Sequence, residues 1–390
     1  MNKNTISLGR ILGIPLGLDP SWFLIFIFMT WSLATSYFPN EFSNWPQAEY
    51  WIIGAVTAIF LFLSVVLHEL GHSIVAMRYK IPVNSITLYV FGGISQIGSE
   101  PPSAVAEFWI AIAGPAVSFG LAAIFQLLQT PLAGIAPLLA LAKYLAYING
   151  TLGLFNLIPG FPLDGGRVFR AILWGATHNL RKATLIAAGV GRAIAFIFIL
   201  IGVWFLFNGN VGNGLWIAFI GWFLESAANS QVQQQTVHDL LEGHTVQQVM
   251  SRRYVKIPGE ITLQTLVDHQ ILGNGKRCFV ITDSNDQVIG LLTLHHLKEI
   301  SRQDWPKVKT AEVMIPLSEI KWLQPTTPVK AALEEMDQDG VNQLPVIKDG
   351  EVVGMLTRED IISFLRTQVE LGLHRNSGKG NRKGHPQLQG

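Results

Sequence analysis

The stretch Ile59-Phe-Leu-Phe-Leu-Ser-Val-Val-Leu67, followed at once by His68-Glu69-Leu70-Gly71-His72, decides how this sequence is read. It closes an apolar run over 51–77, and about 20 apolar residues suffice to cross a bilayer. On a helix His68 and His72 are four apart and share one face, so both imidazoles can reach one metal ion. Glu69 lies beside them, where it can take a proton from a water held there. The plainer alternative is a set of satisfied polar residues at a helix end. Ionisable side chains inside an apolar span are costly, however, and three so close together need a shared partner. A metal supplies one.

Five further apolar runs surround this one, at 22–38, 105–129, 134–158, 186–207 and 211–229. They predict six membrane-spanning helices. The segments 39–50, 130–133 and 208–214 contain no Lys or Arg, whereas the alternating ones carry Lys3 and Arg10, Arg78 and Lys80, and Arg167, Arg170, Arg181 and Lys182. The positive-inside rule therefore places both termini in the cytoplasm. The early residues are polar and no small-residue cleavage site follows the first apolar run, so no cleavable signal peptide is expected.

Composition divides the chain. Of 390 residues 49% are hydrophobic and only 14% charged, with a net charge of +1. This argues against a nucleic-acid binder or a disordered chain. Residues 1–230 hold 10 of the 28 Lys/Arg and 8 of the 27 Asp/Glu; the remaining charges crowd into 231–390, as in a soluble domain. The single cysteine, Cys278, excludes an internal disulfide and a Cys-based zinc site.

The soluble part repeats itself. Val249-Met250 recurs as Val313-Met314, and Gly290-Leu-Leu-Thr293 as Gly354-Met-Leu-Thr357, both 64 residues later. Each unit reads as mixed α/β with strands near Phe279–Ile281 and Leu344–Ile347. The expected organisation is a membrane domain over 1–230, a linker over 231–243, α/β units at 244–304 and 308–368, and a disordered tail over 371–390.

A catalytic zinc ordinarily has three protein ligands and one open position. Positions 75 and 78 are Val and Arg, so no third histidine follows His72 at the usual spacing. Other acidic residues in or near spans are Glu100, Glu107, Asp164 and Glu225. Asp164 stands out, in Asn156-Leu-Ile-Pro159-Gly-Phe-Pro162-Leu-Asp164-Gly165-Gly166-Arg167 just after the fourth run. The second and fourth spans run in the same direction, so Asp164 and His68 reach similar depth near the cytoplasmic face. Pro159, Pro162 and the glycines prevent a continuous helix, and broken backbone at that depth is tolerated where it is buried or lines a cavity. From spacing alone Asp164 is either the third ligand or the cap of the next helix.

Together the two motifs resemble the site-2 protease family of intramembrane zinc metalloproteases, over roughly 10–230. The resemblance implies that His68, His72 and Asp164 bind one zinc ion per chain, that Glu69 is the general base and that Asn156 helps hold the reacting carbonyl. Ala113-Gly114-Pro115 also looks like a family feature of the third span. Substrates would be transmembrane proteins cut near the cytoplasmic face of a plasma or inner membrane. A helical substrate must unwind locally before attack, which helix-breaking residues near the cut favour. The segment Ile86–Ile97 contains Gly92-Gly93 and alternates partly with period two. It is either a hairpin edge that binds unwound substrate by β-addition or a plain connecting hairpin.

The repeated units resemble a tandem CBS pair. Such pairs bind adenine nucleotides, and Thr357 and Asp360 match the phosphate- and ribose-contacting positions. His296 stands where the first unit would need the equivalent Asp. The alternative is a packing or dimerisation module without ligand, and a homodimer through these domains is one expected partner arrangement. Because CBS pairs also follow transport domains, a CBS-regulated transporter or channel is the main rival; it would use the intramembrane His and carboxylates as an ion path. A second rival is a catalytically dead scaffold that binds membrane helices.

Overall fold

The computed structural model describes residues 5–90, 92–274 and 278–371. The chain forms two compact units, Met1–Gln235 and Thr236–Gly390. Most of the expected disordered tail, 372–390, lies outside the described residues.

Among the described residues of the first unit, five helices are long and apolar enough to span a bilayer: Ser21–Glu41, Gln47–Arg78, Ala104–Leu128, Ala136–Asn156 and Leu180–Phe207. They are called the first to fifth spans. A sixth long helix, Val211–Leu241, includes the expected run at 211–229. Asn213, Glu225 and Asn229 dilute its apolar character, and its exposed Leu215, Trp216, Phe219, Trp222 and Phe223 lie in its first half. The fifth span exposes Phe196, Leu200, Trp204 and Phe207. Large apolar side chains left this open suit lipid, not water. The first span is interrupted by a π-helical turn at Leu33–Tyr37.

The fifth span and the sixth helix meet backbone to backbone. A Cβ at Gly202 would lie 2.5 Å from Ala218 N, and one at Gly221 would lie 2.7 Å from Ala195 O. Small residues at such a seam let two helices approach without side chains between them.

A four-stranded sheet was not foreseen in full. Its strands are β1 (Ile6–Ile11), β2 (Ile14–Leu18), β3 (Val83–Tyr89) and β4 (Gly92–Ile97), in the order β1-β2-β3-β4. Leu12 and Gly13, both with positive φ, close the β1–β2 hairpin as a tight two-residue turn. β2 runs parallel to β3, and β3 antiparallel to β4, so β4 is an edge strand. The buried face packs Ile14, Leu18, Ile86 and Leu88 onto Phe62, Val66 and Leu70 of the second span. Those three are spaced by four, one helical face. Ser64, His68 and His72 form a second buried stripe on the opposite side. The second span thus holds the sheet on one face and presents its histidines on the other.

In the second unit β5 (Lys256–Pro258), β6 (Cys278–Thr282), β7 (Val288–Thr293) and β8 (Ile315–Pro316) form one sheet, and β9 (Gln343–Lys348) and β10 (Glu351–Thr357) a second. The repeat has a packing reason. A Cβ at Gly354 would meet Met250 Sδ at 2.7 Å, and one at Gly290 would meet Met314 Sδ at 2.7 Å. The Met of each Val-Met pair therefore rests on the glycine of the other repeat's Gly-x-x-Thr strand, and only glycine leaves room for it.

Candidate active site

His68 and His72 are buried, at 5% and 4% exposure. The third span fixes both rings. His68 Nδ1 lies 2.8 Å from Ser118 Oγ, and His72 Nδ1 lies 2.7 Å from the Ile110 carbonyl oxygen. A carbonyl only accepts, so His72 Nδ1 carries the proton and its Nε2 presents a lone pair. The two Nε2 atoms are 3.3 Å apart. Asp164 Oδ2 lies 3.1 Å from that of His68 and 3.2 Å from that of His72. One donor atom from each residue falls within 4.8 Å of the other two. Two imidazole nitrogens and a carboxylate oxygen, gathered in a buried spot, fit zinc with one position left open.

The third span comes closest at Gly114. A Cβ there would sit 2.2 Å from His72 Nε2 and 2.6 Å from His68 Nε2. Glycine is therefore required where the helix passes over the two rings. One turn earlier on the second span's histidine stripe, Asn149 Nδ2 of the fourth span donates to Ser64 Oγ at 3.2 Å, both groups buried.

Glu69 projects between the two faces of the second span, toward β4. A Cβ at Gly93 would lie 2.6 Å from Glu69 Cγ and 3.2 Å from Val65 Cγ1. The Ser95 backbone lies beside the Glu69 carboxylate. Ser73 Oγ, one turn on, donates to the Glu69 carbonyl at 2.8 Å and lies 2.9 Å from Ser95 Oγ. Gly93 is thus packed on Glu69, while Gly92, with φ +126°, starts the strand in a conformation that suits glycine.

Asn156 ends the fourth span and is half-buried; among the described residues its side chain has no hydrogen-bond partner. The chain then folds back through residues 157–163 into the helix Asp164–Thr177, of which Asp164 is the first residue. Glycines make the turn compact. A Cβ at Gly165 would lie 2.3 Å from Leu157 O, one at Gly166 2.3 Å from Gly160 C, and one at Gly191 of the fifth span 2.2 Å from Phe161 O. Of the other acidic candidates, Glu100 is exposed, Glu225 accepts from Asn229 Nδ2, and Glu107 is fully buried against Arg170.

In the second unit Thr357 and Asp360 cap the helix Arg358–Glu370 reciprocally. Thr357 Oγ1 donates to Asp360 Oδ2 at 2.7 Å, and Asp360 N donates to Thr357 Oγ1 at 3.0 Å. At the equivalent place in the first repeat Thr293 Oγ1 lies 3.0 Å from His296 Nδ1, the imidazole standing in for the carboxylate. A cavity of about 740 Å³ opens elsewhere in this unit, lined by Arg252, Trp322 and Lys348 among others.

Sequence reasoning did not find Ser118, the Ile110 carbonyl or the pairing of Glu107 with Arg170. A signal was present in part: Glu107, Ile110, Gly114 and Ser118 follow a helical period around Ala113-Gly114-Pro115.

Several apolar helices around a His-Glu-x-x-His centre with a nearby aspartate define a membrane-embedded zinc metallopeptidase. The pattern of peptidase family M50 matches residues 56–134 and 129–201, and that of the CBS domain matches 246–302 and 311–367. Rip3 of Mycobacterium tuberculosis, which carries a zinc-metalloprotease name, is 35% identical over 93% of this chain and 93% of its own. The similarly named sll0528 protein of Synechocystis is 34% identical over 94% of this chain and 97% of its own. A solved site-2 protease from Methanocaldococcus jannaschii is 32% identical, covering 58% of this chain and 95% of that one, with a TM-score of 0.40. The chain belongs to peptidase family M50, the site-2 proteases, with a tandem CBS pair after its membrane domain. It is a multi-pass membrane zinc metalloprotease, and the protease reading prevails over the transporter reading.

Proposed function

We propose that His68, His72 and Asp164 hold one zinc ion per chain, that Glu69 is the general base, and that Asn156 steadies the reacting carbonyl. The convergence of His68 Nε2, His72 Nε2 and Asp164 Oδ2 within 4.8 Å carries this reading. When bound there, zinc polarises the scissile carbonyl and makes water a nucleophile at neutral pH. Glu69 takes the proton from the attacking water and delivers it to the leaving amide nitrogen. The Asn156 side-chain N–H donates to the carbonyl oxygen as charge builds on it. Ser118 and the Ile110 carbonyl keep the two rings oriented throughout.

Substrate would lie along the free edge of β4. An unwound segment pairing there passes beside Gly93, which leaves the space over Glu69 that any side chain would fill. Gly92 and Gly93 are in this sense substrate-binding residues. The metalloprotease domain spans 1–230, the linker 231–243, and the CBS domains 244–304 and 308–368. The charge of the loops favours cytoplasmic termini and CBS domains in a plasma or inner membrane. Thr357 and Asp360 sit at the start of a 13-residue helix, where an anion is favoured, and would receive the phosphate and ribose of an adenine nucleotide. The CBS pair would also hold a homodimer.

The test is zinc content of detergent-purified wild type beside His68→Ala and Asp164→Ala, with cleavage of a model transmembrane substrate by wild type and Glu69→Gln. About one zinc per chain in wild type and sharp loss in both ligand variants is expected. Undiminished cleavage by Glu69→Gln would refute the mechanism.

A further inference from the structure

We infer that the buried pair Glu107–Arg170 is a positioning device that sets the third ligand, Asp164, against the two histidines. The inference rests on the reading that these three residues hold the metal.

The histidines are fixed from the third span by their Nδ1 atoms, as described. Among the described residues Asp164 has no such tether of its own beyond its contacts with the two imidazoles. It is the first residue of the helix Asp164–Thr177, and no side chain caps that helix at Leu163. Its place therefore depends on how that helix sits. Arg170, on the same helix, reaches the third span: its Nε donates to Glu107 Oε1 at 2.6 Å, and its Nη2 bonds the same oxygen. The Arg170 guanidinium also lies over the Phe161 ring, 5.2 Å from its centroid, and Phe161 belongs to the turn that leads into Asp164. One side chain thus ties both the turn and the helix to the third span.

The register is informative. Glu107, Ile110, Gly114 and Ser118 fall within about 80° of arc on the third span, at 100° per residue. That one face carries the anchor of the Asp164 helix, the partner of His72, the gap for both rings and the partner of His68. All three ligands are located from a helix that contributes none of them.

The pair is a poor choice for stability alone. The Glu107 carboxylate is 0% exposed, and its Oε2 has no partner among the described residues. Buried ion pairs are often matched or surpassed by apolar replacements, whereas removing one partner strands a charge. A directional fork that fixes one helix against another explains its presence better than burial energy does.

The test uses the full-length protein in detergent and measures zinc affinity by competition with a chelator, beside thermal unfolding of the metal-free protein. The double variant Glu107→Met with Arg170→Met removes both charges together, so no charge is stranded. It should unfold near the wild-type temperature without metal yet bind zinc about 10- to 100-fold more weakly, as loss of groups that orient ligands does. A double variant with wild-type zinc affinity overturns the inference. Should it not fold, Arg170→Lys keeps the charge but loses the fork; weakened zinc binding in a folded Arg170→Lys supports positioning, and unchanged affinity rejects it. A wild type that binds no zinc would remove the ligand reading and this inference together. A zinc-loaded wild type with an unaffected double variant would remove the inference alone.

Discussion

Replacing Gly114 by alanine should dismantle the metal site without touching a ligand. The added methyl would sit 2.2 Å from His72 Nε2, 2.5 Å from His72 Cε1 and 2.6 Å from His68 Nε2. Ordinary contact begins near 3.5 Å, so the rings must retreat by about 1 Å. They cannot do so freely, because Ile110 and Ser118, at 2.7 and 2.8 Å, hold them to the same helix that carries the methyl. Retreat gives up one or both hydrogen bonds, at about 1 kcal/mol each. Overpacking adds about 1–3 kcal/mol. The sum, about 2–5 kcal/mol, corresponds to roughly 30- to 4,000-fold weaker zinc binding if it falls on the ligand geometry. Chelator competition on the purified protein measures this directly, and far-ultraviolet circular dichroism checks that the helices remain. Gly114→Ala protein that holds zinc as tightly as wild type and cleaves at the wild-type rate would refute the close approach of the third span to the histidines.

Three further outcomes follow from other contacts. Glu69→Gln should keep its zinc and lose about 10²–10⁴-fold in cleavage rate, a split that metal analysis and a gel-based cleavage assay resolve. Gly191→Ala places a Cβ 2.2 Å from Phe161 O and 2.8 Å from Phe161 N, backbone atoms that cannot swing aside; thermal unfolding in detergent should fall by the equivalent of about 1–3 kcal/mol or more, and an unchanged midpoint would contradict the packing of the motif turn. Burial pushes the Cys278 thiol up to about 12. Since the thiolate is the reactive form, only about one thiol in 10⁴ is ionised at pH 8, and maleimide labelling should be slow in the folded protein, fast once denatured, and quicker as pH rises toward 11.

The site was legible where its chemistry is carried by side chains at helical spacing in an apolar run. His68, Glu69 and His72 announce themselves because water is absent around them, and Asp164 because proline and glycine break a span beside it. Backbone partners leave no such mark. The Ile110 carbonyl could be any residue's carbonyl, and Ser118 looks like a small residue in a helix. Arg167 and Arg170 read as loop charges, since two arginines after a broken span suit a cytoplasmic turn; in the fold they belong to an amphipathic helix, and Arg170 points inward because Glu107 awaits it. The β1–β2 hairpin leaves little mark because Gly9, Arg10, Gly13 and Pro15 interrupt any clean alternation, and only its parallel pairing with the distant β3 joins it to a larger sheet. The 64-residue repeat is readable because the methionine of each repeat must meet a glycine of the other. The sixth span was half legible: the helix is there, but its apolar part is short and interrupted by polar residues.

The glycine seam between the fifth span and the sixth helix has a mechanical consequence. Two helices in contact along their backbones bend and shift together, so they act as a single stiff panel. Gly191 meets the Phe161 backbone in the turn that leads to Asp164, and Phe161 shares a buried cluster with Ala187, Ala188 and Ala228 of the two helices. Farther along the fifth span Trp204 and Phe207 face outward. Whatever moves that panel therefore bears on the turn that leads to Asp164 through both helices at once.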